Sequence, residues 1–471
     1  MSAENSVDFD FVVIGGGSAG YAAARTASAA GLRVAVIESG PQVGGLCILR
    51  GCMPTKALLH AADVLHLVNK SRTWGIHAGK ATFNFTEVMA RKDTMINNFA
   101  EYRREQLNDG RFKFIKANAR FTDDHTLTLD NGEQVTSENF LISTGSVIAS
   151  PPLAALETTG YLTSDDALKL TALPESIIVL GGGAVAVEFA QFFARFGVKV
   201  TIIQRSQHIL KDFDTDAAEV IEKVFQEEGI TLYTETKLTG AWSENGRKYV
   251  AFEHHGQTAV AEAAEIFHGL GRRPNTDGLQ LESAGVVTER GRILTNKYQQ
   301  TTTPNIYAAG DCCGPHEIVH IAIQQGEIAA QNTISPDQKR AIDYHLLTSV
   351  VFTDPQVATV GMTERQAIAA QIPAMSASYR FDDHGKSLIM DAVNGFVKLI
   401  ADQNTGQILG AACVGPMGGE LIHEIIVAMA NRMNVRQLAA VPHYHPTLAE
   451  IWTYPAEELA DNLPDSDKGS L

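Results

Sequence analysis

Cysteine is scarce in this chain. Five cysteines in 471 residues cannot build the disulfide framework of a small secreted scaffold, and a reducing cytoplasm is the expected compartment. Net positive charge is missing too: 38 lysines and arginines face 54 aspartates and glutamates, for a formal net charge of −16. A surplus of that sign repels nucleic acid and anionic membrane, so neither is expected as a partner. No apolar run approaches the roughly 20 residues that span a bilayer. The short acidic N-terminus has no basic segment followed by an apolar core, so no secretory signal is expected. What remains, 45 % apolar and 20 % charged residues, is ordinary globular composition of a length that suits two to four domains.

Two of the five cysteines stand together, in Gly45-Leu46-Cys47-Ile48-Leu49-Arg50-Gly51-Cys52-Met53-Pro54-Thr55-Lys56. The apolar, helix-forming stretch that runs from Pro54 to Leu67 places the pair at or near a helix start. Five residues of ideal helix rise about 7.5 Å, whereas a disulfide needs its Cα atoms within about 7 Å. If the two sulfurs bond, the helix must be distorted, and Gly51 and Pro54 permit that. A helix N-terminus also lowers a thiol pKa and favours the reactive thiolate.

Ahead of the pair, the apolar strand Asp10-Phe11-Val12-Val13-Ile14 runs into Gly15-Gly16-Gly17-Ser18-Ala19-Gly20, an Ala-rich helix ending at Gly31, and a strand Val34-Ala35-Val36-Ile37 that stops at Glu38. Gly15, Gly17 and Gly20 allow a tight turn and close approach of a pyrophosphate to the helix N-terminus. Glu38 can accept from a ribose hydroxyl. The pattern recurs 166 residues later: Gly181 stands for Gly15, Gly183 for Gly17, Gly197 for Gly31 and Gln204 for Glu38. Two dinucleotide sites in one chain, beside a thiol pair, imply an electron path between two cofactors. In the second copy the acid has become Gln204, and Arg205, His208 and Lys211 follow. Losing a carboxylate and gaining cations suits a 2′-phosphate, so NADP is expected there, with NAD as the alternative.

Near the C-terminus stands His445-Pro446-Thr447-Leu448-Ala449-Glu450. Pro446 suits a first helical turn, and Glu450 one turn on could orient His445 as a general acid/base. His443, His345 and His423 lack such a context and read as structural.

These residues resemble the class I flavoprotein pyridine nucleotide-disulfide oxidoreductases, the family of glutathione reductase, dihydrolipoamide dehydrogenase and mercuric reductase. The resemblance runs from about Asp10 to Leu459. Leu141-Ile142-Ser143-Thr144-Gly145-Ser146 is similar to the segment closing the family's first domain, Gly271-Arg272-Arg273-Pro274-Asn275 to its return from the nucleotide domain, and Thr303–Asp311 to its second FAD motif. It implies that FAD is the first cofactor and that Asp311 meets its ribityl chain. Cys52 is the charge-transfer thiolate and Cys47 the exchanging thiol. Lys56 lies beside the flavin and Glu188 pairs with it. His445 and Glu450 serve the disulfide of the partner subunit in an obligatory homodimer. The activity implied is electron transfer from NADPH through FAD and the Cys47–Cys52 disulfide to a small-molecule or protein-bound disulfide. An NAD-linked dihydrolipoamide dehydrogenase is the alternative.

The implied fold is α/β, with two Rossmann-like dinucleotide-binding domains and a C-terminal α+β dimerisation domain. The FAD domain covers 1–150 and 272–342, the nucleotide domain 151–271, and the interface domain 343–471, its last residues from Asp461 to Leu471 forming a polar tail. Strands are expected at Val350–Phe352, Gln356–Val360, Gly395–Ile400 and Ile408–Val414, with a helix from Gly419 to Arg432. Leu46 and Leu49 replace the family's Thr and Asn beside the cysteines, and Ala184 replaces a gating tyrosine. Ser18 and Arg25 match two glutathione-binding positions, but Glu327 stands where a second arginine belongs, a like-charge clash with that substrate. The C-terminal sequence lacks the cysteine pair that delivers metal in mercuric reductases, so mercury is not the expected substrate and no metal site is expected. Cys312, Cys313 and Cys413 have no matching role and read as buried. Arg50 is as consistent with a solvated side chain as with a substrate contact.

Overall fold

A computed structural model describes residues 7–464; most of the expected polar tail, 465–471, lies outside the described residues. Tertiary contacts group the chain into two units. The first comprises 1–57, 86–150 and 271–343, and the second 58–85, 151–270 and 344–471.

In the first unit the sequence enters through β1 (Phe9–Ile14), α1 (Ser18–Ala29) and β2 (Val34–Glu38). Next come α2 (Gly45–Leu49), α3 (Cys52–Lys70), whose residues from Leu58 on count with the second unit, and α4 (Phe85–Leu107). β3 (Lys113–Lys116), β4 (Ala119–Phe121), β5 (Thr126–Leu129), β6 (Gln134–Ile142) and β7 (Ser146–Ile148) complete its first half. β1 is flanked in parallel by β2 and β6, with Ile14 opposite both Ile37 and Ile142. A strand buried on both faces must be apolar throughout, and Phe11, Val12 and Val13 are wholly buried. β6 changes partner type along its length, pairing in parallel with β1 and antiparallel with β5.

In the second unit α5 (Ala154–Thr159) and α6 (Ser164–Ala167) lead into β8 (Ser176–Leu180), α7 (Ala184–Arg195), β9 (Lys199–Ile203), α8 (Thr215–Glu227) and β10 (Thr231–Tyr233). β11 (Thr236–Glu244), β12 (Arg247–His254) and β13 (Gln257–Ala263) form an antiparallel meander, and β14 (Glu265–His268) returns beside β8. The internal repeat is structural down to single hydrogen bonds. Gly15 N–H donates to Ile37 O at 2.8 Å and Gly181 N–H to Ile203 O at 3.0 Å; Ser143 N–H donates to Ile14 O and Gly269 N–H to Leu180 O, both at 2.9 Å. β15 (Arg272–Pro274) then pairs with β7 in the first unit. There the hairpin β16 (Thr288–Glu289) and β17 (Arg292–Ile293) precedes β18 (Ile306–Ala308), which joins β6, and α9 (Val319–Ile334).

The C-terminal sheet has the order β19-β20-β23-β22-β21, formed by β19 (Thr348–Val351), β20 (Gln356–Gly361), β21 (Ala374–Arg380), β22 (Phe396–Asp402) and β23 (Ile408–Gly415). Helix α12 (Gly418–Ala430) packs on it around Phe381, Ile422, Ile425 and Trp452. The expected strands and helix all form; β21 is an addition. Its sequence, Ala-Met-Ser-Ala-Ser-Tyr-Arg, is too polar to read as a strand, and it is paired only through β22.

One face of α7 carries Glu188, Gln191 and Arg195, spaced at three and four residues so that they line up. Glu188 Oε1 accepts from Phe352 N–H at 2.9 Å, and Gln191 bonds both backbone groups of Asp354. Arg195, 3 % exposed, meets Asp63, Glu228 and Asp354 at 2.6, 2.7 and 2.8 Å. Burial pushes the Asp63 carboxyl up to about 6 even beside that cation. Replacing Arg195 by methionine is expected to cost about 2–3 kcal/mol. That is below the 3–5 of a fully buried pair, because Asp63 and Asp354 keep about half their side-chain surface in water. A thermal midpoint unchanged from the parent would refute that cost.

Candidate active site

The cysteine segment avoids helix distortion by using two helices. Cys47 lies in the middle of the short α2 and Cys52 opens α3, with the chain broken between them at Arg50 and Gly51. Arg50 leaves the helical region at φ −145° and ψ 12°. Pro54 is therefore not the distortion point: it sits in the first turn of α3, where a missing N–H costs nothing. Both cysteines are half-buried free thiols. A hydrogen bond to Cys52, then burial, push the Cys47 thiol up, with Lys56 opposing. Cys47 is thus held toward its protonated form by its hydrogen bond to Cys52 and by burial. Lys56 stands one turn beyond Cys52 on α3.

The residues around this pair fit FAD. Gly17 caps α1 without a side-chain hydrogen bond, so the first amides of α1 remain open to a phosphate. A Cβ on Gly20 would run into Gly15 O and Ser143 Oγ, and one on Gly15 into Ser143 O; only glycine lets the turn come this close. Glu38 accepts from Gly16 N–H at 2.9 Å and Gly40 N–H at 2.7 Å, which holds its carboxylate at the tip of β2 with lone pairs left for a ribose. Thr144 Oγ1 donates to Asn275 O at 2.6 Å, and Asn275 N–H to Gly145 O at 2.9 Å, closing the two crossings of the chain on each other. Gly271, at φ 111°, enters that strand pair. Asp311 Oδ2 accepts from Ser146 Oγ at 2.6 Å, and Arg272 Nε donates to that same hydroxyl at 2.8 Å.

The second cradle has the same build. Gly181 is at φ 108°, where a Cβ would meet Gly269 O, and Gly183 caps α7 with open space around it. Gln204 is buried and donates to His208 O at 3.3 Å. His208 and Ile209 N–H are taken by Glu222. Arg205 and Lys211 are exposed and make no ion pair among the described residues.

His445 Nδ1 lies 2.9 Å from Glu450 Oε2; the imidazole side chain is 76 % exposed and the carboxylate 12 %. Pro446 does not start a helix here, contrary to the expectation. The His445–Pro446 bond is cis, and the first helical turn begins at Ala449. The residue before a proline is disfavoured in helical geometry, so the histidine projects from a bend. Sequence reasoning missed His384, a buried imidazole 66 residues upstream. Its Nε2 lies 3.4 Å from Glu450 Oε1, and its Nδ1 is 2.8 Å from Ser387 Oγ. His443 is engaged with Glu424 at 2.6 Å. Cys312, Cys313 and Cys413 are buried. No group of metal-ligating side chains occurs among the described residues, and no helix there is long and apolar enough to cross a membrane.

Comparison with known proteins places this geometry. Residues 9–326 match the family model for pyridine nucleotide-disulphide oxidoreductases, and 347–456 match that family's dimerisation domain. Mercuric reductase of Staphylococcus aureus is 33 % identical over 455 residues, covering 95 % of this chain and 83 % of that protein. Dihydrolipoyl dehydrogenase of Geobacillus stearothermophilus is 33 % identical over 463 residues, covering 98 % and 97 %. Among solved structures, the HOCl-induced flavoprotein disulfide reductase RclA from Escherichia coli superposes with a TM-score of 0.85 at 28 % identity, over 95 % of this chain and 99 % of that one. The matched family is FAD-dependent and works with a pyridine nucleotide, and a dimerisation domain together with these relatives supports a homodimer acting on a disulfide. The chain belongs to the pyridine nucleotide-disulphide oxidoreductase family, whose members named here are enzymes.

Proposed function

We propose that this chain is a homodimeric NADPH:disulfide reductase. The observation that carries the reading is the half-buried thiol pair at the junction of α2 and α3, in which Cys47 is hydrogen-bonded to Cys52 at the start of a helix. FAD, when bound, carries two electrons from the nicotinamide to the Cys47–Cys52 disulfide. Cys47, once deprotonated, attacks one sulfur of the substrate disulfide. The mixed disulfide forms, and the departing thiolate takes its proton from His445 of the partner subunit. The Cys52 thiolate then attacks Cys47 Sγ, which releases the second substrate thiolate and closes the internal disulfide. Glu450 holds the imidazole and stabilises its charged form. The amides at the start of α1 and α7 would hold the two pyrophosphates, and Glu38 would take a ribose hydroxyl. Glu188, its carboxylate fixed by Phe352 N–H, is by family resemblance the partner of Lys56. By family resemblance Asp311 takes the ribityl chain and Lys56 lies beside the flavin.

NADPH is favoured over NADH because Arg205 and Lys211 have no carboxylate partner among the described residues, and a guanidinium suits a phosphate. Anaerobic titration with each nucleotide tests this, with flavin absorbance and a long-wavelength thiolate band as readouts. NADPH is expected to react faster. Arg205→Ala is expected to lower kcat/KM for NADPH about 10- to 100-fold and to leave NADH within about twofold. Equal reaction with NADH would favour the NAD-linked dihydrolipoyl dehydrogenase, the activity named for one relative.

A further inference from the structure

We infer that Arg103 is the anion-binding residue of the thiol-exchange site, and that the physiological disulfide carries a carboxylate or similar anion near its sulfurs. This inference rests on the disulfide-reductase reading and adds a substrate class to it.

Ser18, Tyr21 and Arg25 share one face of α1, spaced at three and four residues. This face starts where Gly17 touches Gly45 at the head of the cysteine segment. The cation that sequence comparison offers there, Arg25, is already spent: Glu327 holds it at 2.8 Å. The same is true of its neighbours. Arg111 is bound to Asp109 at 2.6 Å and Arg104 to Glu101 at 2.5 Å.

Arg103, on α4, is the exception. Its guanidinium lies 3.9 Å over the Tyr21 ring. Nε and Nη1 are buried with no hydrogen-bond partner, and no carboxylate pairs with it among the described residues. Burial lowers its pKa, and the groups acting on its charge are Tyr21, Cys47, Tyr102 and Arg25. Tyr21, which this cation covers, lies on the α1 face that begins at the Gly17–Gly45 contact, and Gly45 and Cys47 share the short helix α2, so the guanidinium belongs to the thiol end of α1. A protein of net charge −16 has carboxylates to spare, yet none is placed here. Buried guanidinium nitrogens without an acceptor, on a half-buried side chain, are costly unless a ligand completes them. The ring of Tyr21 covers one face of the guanidinium by cation–π contact and leaves its N–H groups to an anionic acceptor. One turn along the same helix, Gln106 Oε1 is likewise buried without a partner. Unpaired donors beside an orphan acceptor suit a polar ligand that offers both an anion and an N–H or O–H. It does not suit the uncharged, apolar arm of lipoamide.

The test uses the FAD-loaded dimer and two disulfides of opposite charge. One is 5,5′-dithiobis(2-nitrobenzoate), with two carboxylates; the other is cystamine, with two ammonium groups. In the parent enzyme kcat/KM for the dicarboxylate is expected to exceed that for cystamine and to fall with added salt. Arg103→Met is expected to lower the ratio of the two kcat/KM values about 30-fold or more, and Arg103→Lys to restore part of it. Equal loss with both probes, or no loss, overturns the inference while leaving the disulfide-reductase reading intact. If Arg103→Met does not fold, the salt dependence of the parent decides alone, and a dicarboxylate rate insensitive to salt overturns the inference. Failure of the parent to reduce either disulfide, although NADPH bleaches its flavin, would instead refute the reading on which the inference rests.

Discussion

Cys47→Ser is expected to lower turnover of any disulfide substrate by roughly 10⁴-fold or more, because the exchanging nucleophile is gone and no other thiol can replace it. Cys312, Cys313 and Cys413 are buried. Flavin reduction by the nicotinamide should persist, since that step precedes the thiol pair. The variant should also carry a standing long-wavelength band, with the Cys52 thiolate no longer tied up in a disulfide. Cys52→Ser should be equally inactive but without the band. The difference follows from the geometry of the pair. Cys52 begins α3, where the open amides of a helix N-terminus favour a thiolate, whereas Cys47 is pushed up by its hydrogen bond to Cys52 and by burial. A band that survives in Cys52→Ser and vanishes in Cys47→Ser would reverse the two roles.

His445→Gln is expected to slow disulfide turnover about 10²- to 10⁴-fold, the usual worth of a positioned acid/base, with flavin reduction again spared. Glu450→Gln should cost less, about tenfold, because it orients the imidazole and does not itself move the proton. The neutral amide still reaches His445 but no longer stabilises its charged form, so the pH profile of Glu450→Gln should shift while that of His445→Gln loses a limb. If His445 acts on the other subunit's thiols, mixing inactive Cys47→Ser with inactive His445→Gln should regain activity. Random reassortment makes half the dimers mixed, each with one intact site, for about a quarter of parental activity. No recovery on mixing, after exchange of subunits has been verified, would place each histidine with the thiols of its own chain.

Much of this was legible without coordinates because it is local. Strand, glycine turn, helix and strand follow one another within about thirty residues, and their hydrophobic periods and glycines report backbone geometry directly. The 166-residue repeat extended that reading to the second cradle, where even the single hydrogen bonds from Gly15 and Gly181 correspond. The cysteine pair and the His445–Glu450 pair are likewise separated by four intervening residues each, close enough for the chain itself to bring them together.

The remainder depended on residues far apart in sequence. His384 meets Glu450 from 66 positions away, with nothing in its own neighbourhood to mark it. The break at Arg50 and Gly51 replaced a distorted helix with two regular ones, and the helical turn after His445 begins at Ala449, three residues beyond where local rules had put it. Arg195 gathers Asp63, Glu228 and Asp354, three separate segments that no spacing rule connects. The charge state of the site was the least legible of all. Arg25 and Arg103 are both arginines on helices, but Glu327 neutralises one and no carboxylate among the described residues neutralises the other. Sequence by itself determined the two glycine turns, their internal repeat and the place of the cysteine pair beside a helix start, because backbone conformation and hydrophobic period are properties of neighbouring residues. Only the tertiary structure decided which charges are satisfied and which stay open, because a carboxylate acts on whatever the fold places within a few ångströms of it.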